Sequence, residues 1–159
     1  MKAILLSSIF FLPISAFAAD LTLEPVEMVV PAPETMWYIG GNANISADGD
    51  VSLGAAVGYD VTPNITLDGR YERIIDEKQS DRVLGSVLVG NELGVFKPYV
   101  HAGVGYEWGD VDRSIYAIGV GTKIHYTPTV DFDIRYRYQD GISKGGDDHI
   151  FTTGVEFRF

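Results

Sequence analysis

The stretch that most restricts this chain is its last nine residues, Phe151-Thr-Thr-Gly-Val-Glu-Phe-Arg-Phe159. They alternate apolar and polar side chains and finish on an aromatic. Successive side chains of a strand point to opposite faces, so this segment has one apolar and one polar face. Read as a terminal strand, it leaves no residue beyond Phe159 to cover a sheet edge, and an open edge invites pairing. The expectation is a strand paired on both sides, the closing strand of a barrel. Its apolar row, Val155, Phe157 and Phe159, then faces lipid.

The amino end agrees. Lys2 is a short positive region, Ala3 to Leu12 a short apolar run, and Ala16-Phe-Ala18 a small-x-small cleavage site. Residues 1–18 are expected to be a signal peptide, because the apolar run is too short to cross a bilayer as a helix. Residues 19–36 carry three prolines and three glutamates and read as an extended periplasmic lead-in. Residues 37–159 are expected to form the barrel.

Charge and composition narrow the rest. The chain has 22 acidic and 12 basic residues, and Lys2 leaves with the signal peptide. An acidic balance argues against nucleic-acid binding, which needs basic stripes. Without cysteine, an exported chain is held by its sheet and packing alone. No long apolar helix exists elsewhere, and only helices and closed barrels satisfy their backbone in lipid.

From Trp37 the chain runs in alternating segments of about ten residues, the length of a tilted membrane strand. Strands are predicted at Trp37–Ser46, Val51–Tyr59, Ile65–Arg73, Arg82–Gly90, Lys97–Trp108, Ser114–Tyr126, Val130–Gln139 and His149–Phe159. The predicted fold is all-β, an eight-stranded antiparallel up-and-down transmembrane barrel. Periplasmic turns fall at 60–64, 91–96 and 127–129. Short outer loops fall at 47–50, 74–81, 109–113 and 140–148.

Most strands resolve into two faces. The charged one carries Asp68, Arg70, Glu72, His101, Glu107, Lys123, His125, Asp131, Asp133, Arg135, Arg137, Glu156 and Arg158. The small residues Gly54, Ala56, Gly58, Gly103, Gly105, Gly119, Gly121 and Gly154 share it. Eight strands enclose room for side chains and little more, so large polar groups inside need small neighbours. Aromatics on the apolar face cluster towards strand ends, as two membrane-interface belts do. The charged face therefore points inward. The segment Arg82–Gly90 is apolar on both faces, and its register is not assigned by pattern.

Three segments carry a resemblance. Trp37-Tyr-Ile-Gly-Gly-Asn-Ala43 looks like the opening strand of the opacity-type and related OmpA- and OmpX-like porin-family proteins. Tyr99-Val-His-Ala-Gly-Val-Gly-Tyr106 resembles their glycine-rich fifth strand, and Gly154-Val-Glu-Phe-Arg-Phe159 their terminal strand. The resemblance implies a bacterial outer-membrane location and recognition of Val155, Phe157 and Phe159 by the barrel-assembly machinery. The short outer loops depart from the adhesive members of that group.

The candidate site is the inward charge set. Arg70, Lys123, Arg135, Arg137 and Arg158 nearly balance Asp68, Glu72, Glu107, Asp131, Asp133 and Glu156. Balance is what a packed ion-pair core requires, since a buried charge without a partner is costly. Glu156 is expected to pair with Arg135 or Arg137 on the neighbouring strand. His101, His125 and His149 offer no fixed third metal ligand. No serine stands close to any histidine on one face, so no nucleophile–base pair is read. No cofactor is expected. The acid pairs Asp48/Asp50, Asp110/Asp112 and Asp147/Asp148 on outer loops could bind divalent cations. The reading is a non-catalytic barrel of structural or surface-interaction type with a charge-plugged interior, in contact with outer-membrane lipid including lipopolysaccharide. A narrow ion channel and a loop-borne adhesin are the alternatives.

Overall fold

The computed structural model describes residues 37–75, 80–109, 112–142 and 146–159. The expected signal peptide and lead-in lie outside these residues, as does Asp110. Eight strands follow one another: β1 (Trp37–Ser46), β2 (Val51–Thr62), β3 (Ile65–Ile74), β4 (Ser80–Gly90), β5 (Phe96–Trp108), β6 (Arg113–Thr127), β7 (Val130–Gly141) and β8 (Asp148–Arg158). Each pairs antiparallel with its neighbour, and β8 returns to β1, so the sheet closes. Closure removes the exposed edge that the terminal strand would otherwise present. The up-and-down barrel expected from the alternation is the fold observed.

Strand bounds differ from the sequence reading at the ends. β2 continues to Thr62, β4 starts at Ser80, and β7 runs on to Gly141. These extra residues are polar or lack alternation, so pattern alone does not mark them. Their backbones stay laddered because the partner strand is already in place. β8 ends at Arg158, although the Phe159 amide still donates to the Trp37 carbonyl at 3.1 Å. Register shifts occur between Asp60 and Thr62 and between His125 and Thr127, both at the end of the barrel where β1 starts and β8 finishes, called the terminal end below. A bulge there re-aims side chains at the rim. Gly49 and Gly94 take φ of 95° and 65° in tight connections that a side chain would strain.

The apolar face is outside. Val51, Leu53, Val57, Leu67, Val100, Val104, Ile118, Val120, Ile134 and Phe157 are all exposed, while every residue of the charged set except His125 falls in the buried class. The interior is thus a polar core inside an apolar shell, the inverse of a soluble barrel. Trp37 and Tyr59 meet at 4.7 Å between ring centres at the terminal end. Tyr106, Trp108, Tyr116 and Tyr138 form the corresponding ring pairs at the far end.

The structure assigns the register that the fourth strand's pattern left open. Arg82, Leu84, Ser86 and Leu88 point inward and Val83, Val87 and Val89 outward. Leu84 joins Ile115 and Ala117 in a small apolar cluster inside the lumen.

Candidate functional site

The inward side chains arrange themselves in three ion-pair groups stacked along the barrel. Strand register sets the height of each, and strand alternation sets its direction.

The first lies at the terminal end. Arg158 donates to Asp131 through Nε and to Asp60 through an Nη at 2.7 Å. His125 Nδ1 stands 2.7 Å from the other Asp131 oxygen, and Lys97 Nζ lies 3.9 Å from Asp60. Asp60 also accepts from the Thr66 hydroxyl. Arg158 therefore joins β8 to both β7 and β2, bridging the seam where the barrel closes.

The second group fills the middle. Arg70 donates to Asp68 at 2.8 Å and to Asp133 at 2.7 Å, with Glu156 at 3.4 Å. Arg135 reaches Asp68 at 3.0 Å, lies 3.3 Å from Asp133, and donates to the Tyr99 hydroxyl at 2.9 Å. Tyr99 in turn donates to Asp133, and the Tyr38 hydroxyl donates to Asp68 at 2.6 Å. Lys123 completes the group, 2.7 Å from Glu156 and over the Tyr38 ring at 3.7 Å. A cation over a ring face gains further attraction when desolvated.

The third group lies towards the outer end. Arg137 grips Glu72 with both terminal nitrogens, one of them at 2.8 Å. Arg82 connects Glu72 at 3.3 Å to Glu107 at 3.1 Å, and Arg113 reaches Glu107 at 3.2 Å. Forked guanidinium–carboxylate contacts of this kind are stronger than neutral bonds and fix orientation.

All eleven charged residues read from the sequence lie on this inward face, distributed over these groups. One pairing does not hold. Glu156 binds Lys123 and Arg70, not Arg135 or Arg137. The reason is register: Glu156 stands opposite Asp131, whereas Arg135 and Arg137 stand opposite Thr152 and Ile150. Four residues of offset is about 13 Å along a strand, beyond a pairwise reach. Arg135 and Arg137 instead cross the lumen to β3.

Sequence reasoning missed Arg82, Lys97, Asp60 and Arg113. Arg82 was hidden by the fourth strand's lack of alternation, yet it stands directly opposite Glu72 and Glu107. Two carboxylates facing one residue were the available signal. Lys97 and Asp60 sit at predicted turn margins, where face assignment fades. Tyr38 and Tyr99 were missed as inward hydroxyl donors because tyrosine was read as a lipid-facing residue.

The small residues make room for these groups. A Cβ at Gly58 would run into the Tyr38 ring, and one at Gly121 into the Tyr99 hydroxyl. At Gly58 and Gly121 the space is thus already filled by a neighbour's ring, whereas at Gly54 and Gly105 the adjacent strand's backbone carbonyl stands where a Cβ would lie.

Above the third group the lumen widens into a vestibule of about 210 Å³. Asp48, Asp50, Asp147 and Asp148 line it together with Glu107, Arg82 and Arg113. Two of the loop acid pairs read from the sequence therefore converge, while Asp112 is not among the lining residues. Among the described residues no three His, Asp or Glu side chains form a metal-holding group. His149 points outward and shares a 2.6 Å hydrogen bond with the Tyr136 hydroxyl.

A family model described as an outer membrane protein beta-barrel domain matches residues 4–159. No curated protein matches the chain. Among solved structures, the N-terminal β-barrel domain of Pseudomonas aeruginosa OprF is similar at 20% identity, with 79% of this chain and 98% of that one covered and a TM-score of 0.69. Neisserial surface protein A is similar at 19% identity, covering 77% and 97%, with a TM-score of 0.65. The outer-membrane enzyme PagL is similar at 10% identity, covering 75% and 97%, with a TM-score of 0.52. At these identities the likeness is one of fold.

Proposed function

The chain belongs to the outer membrane protein beta-barrel domain family, and from that premise we propose a non-catalytic barrel of structural or surface-interaction type whose lumen is closed by ion pairs. One observation carries this reading: Arg70, Arg135 and Arg137 lie across the lumen, fully enclosed, each bound to carboxylates from a different strand. A conducting path needs continuous water, and cross-lumen pairs at two heights interrupt it. Pairs of this kind also lock strands that are distant in sequence, which suits a scaffold.

The non-catalytic reading is supported by the partner of His149. The hydroxyl beside it is the phenol of Tyr136, whose ring stacks on the same imidazole, and not that of a serine. Outer-membrane lipid, including lipopolysaccharide, is the proposed surround of the apolar shell. Divalent cations at the acidic vestibule are a further proposed partner. Residues 1–18 are proposed to direct export, and Val155, Phe157 and Phe159 to be read by the barrel-assembly machinery.

The vestibule favours one second reading, a narrow ion channel with that cavity as its outer mouth. Planar-bilayer recording separates the two. Under the proposal the purified barrel gives no steady conductance steps, and Arg70→Ser introduces them. Stable steps from the unaltered protein would overturn the closed-lumen reading and favour the channel.

A further inference from the structure

Two tyrosine–aspartate pairs stand on the outward face near the outer end of the barrel, on different walls, and they differ in charge. On β3 and β4 the Tyr71 hydroxyl donates to Asp81 at 2.6 Å, and Arg73 lies 3.9 Å from the same carboxylate oxygen. On β6 and β7 the Tyr116 hydroxyl donates to Asp140 at 3.4 Å, and the Gly146 amide donates to the other oxygen at 3.2 Å. Among the described residues no cation pairs with Asp140, so this carboxylate keeps its charge open to the outer surface.

Aromatic rings surround the second pair. Tyr116 stands opposite Asp140 in the ladder, and Tyr138 opposite His149. The Tyr116 and Tyr138 rings lie 6.4 Å apart, tilted by 58°. The His149 ring lies 5.3 Å from Tyr138 and stacks on Tyr136, to which it is hydrogen-bonded. Asp140 and Asp147 both stand within electrostatic reach of the Tyr138 hydroxyl. Towards the terminal end the same Tyr136 and Tyr138 become the wall of an outward groove of about 390 Å³, which Val100, Ile118 and Val120 complete. The polar cluster and the apolar groove therefore share two side chains.

We propose that this face of β5, β6 and β7 holds one phospholipid of the surrounding bilayer by an ammonium head group. An acyl chain lies along the groove, and the ammonium sits against Tyr116, Tyr138 and Asp140. The site rests on the reading that the apolar shell meets lipid, and adds to it a choice of head group. Aromatic faces attract a cation through the ring quadrupole, the more strongly when it is desolvated. A carboxylate that lacks a cation supplies the opposite charge. Rings with polar tips suit the boundary between water and lipid. A head group that brings phosphate without a cation would meet Asp140 and Asp147 with like charge. The Tyr71–Asp81 pair, already served by Arg73, is the built-in comparison: same residue types, same end of the barrel, no open charge.

Native mass spectrometry of the purified protein, released from detergent with a limiting amount of lipid, tests this independently of whether the barrel conducts. Phospholipids of identical acyl chains carry an ethanolamine, a choline or a glycerol head group, and lipid A is the fourth probe. At about pH 8 histidine is neutral and the carboxylates are charged. The ethanolamine and choline lipids should each be retained several-fold more than the glycerol lipid. Because the whole chain is acidic, two variants separate the site from general repulsion. Asp140→Asn, which keeps both hydrogen-bond acceptors' positions, should abolish the preference, whereas Asp81→Asn should leave it intact. Heat-modifiability confirms that each variant is folded. Equal retention of all head groups, a preference that survives Asp140→Asn, or lipid A retained above both ammonium lipids would overturn the proposal and leave the lipid-facing shell standing. Retention of no lipid at all would overturn both.

Discussion

Glu72 and Arg137 offer the sharpest test of the paired lumen. Both are fully enclosed, and they share a two-point contact that no water reaches. Removing one partner of a buried pair strands the other and costs about 3–5 kcal/mol. The two single changes should not cost the same. Glu72→Gln leaves Arg137 without an anion, while Arg82 keeps Glu107. Arg137→Gln leaves Glu72 still bonded to Arg82 at 3.3 Å. Glu72→Gln should therefore be worse by about 1 kcal/mol, the worth of one ordinary hydrogen bond. The double variant should cost about 2–3 kcal/mol less than the sum, the range for residues in one network. A parallel cycle of Glu156→Gln with Arg137→Gln should show no coupling, because register places them apart. Equilibrium urea unfolding in lipid vesicles, followed by tryptophan fluorescence, gives all the required energies. Coupling in the Glu72–Arg137 cycle below about 0.5 kcal/mol, the usual limit of additivity, would refute the reasoning. Equal coupling in the two cycles would refute it as well.

Other outcomes follow from the two faces. Val104 is outward and exposed on the shell proposed to meet lipid, so Val104→Arg should cost about 2–4 kcal/mol, the range for a cation at the bilayer midplane, read by the same titration. Gly121→Leu should overpack the lumen against Tyr99 and cost about 1–3 kcal/mol, whereas outward Thr122→Leu should be tolerated; the opposite order would invert β6. Phe159→Ala removes one lipid-facing ring worth about 1.5–3 kcal/mol by burial. Its larger expected effect is on insertion, so heat-modifiability of the outer-membrane fraction should show less folded protein than the stability loss accounts for.

Much of this molecule was legible before any coordinates. Asp131, Asp133, Arg135 and Arg137 occupy every second position of one segment, and no fold but a strand puts four charges on one side that way. Their apolar partners Phe132, Ile134 and Tyr136 then had to meet lipid or a core. The abundance of glycine beside the charges, not beside the apolar residues, decided for lipid. Face, strand count and closure are local or near-local properties. They follow from period-two alternation and from the rule that lipid tolerates no open edge.

Tertiary structure decided what period two cannot encode. β4 has no alternation, so only its ladder with Glu72 and Glu107 turned Arg82 inward. The partner of each charge was equally out of reach of the sequence. Arg135 and Arg137 lie on β7, yet their carboxylates Asp68 and Glu72 come from β3. Strands four apart in the chain face each other only once the sheet has closed, and the height at which they meet depends on the register of every pair between them. A long guanidinium then takes whichever carboxylate that closure brings within reach. The alternation in the sequence thus determined which side chains enter the lumen; the closed barrel decided whom each one meets there.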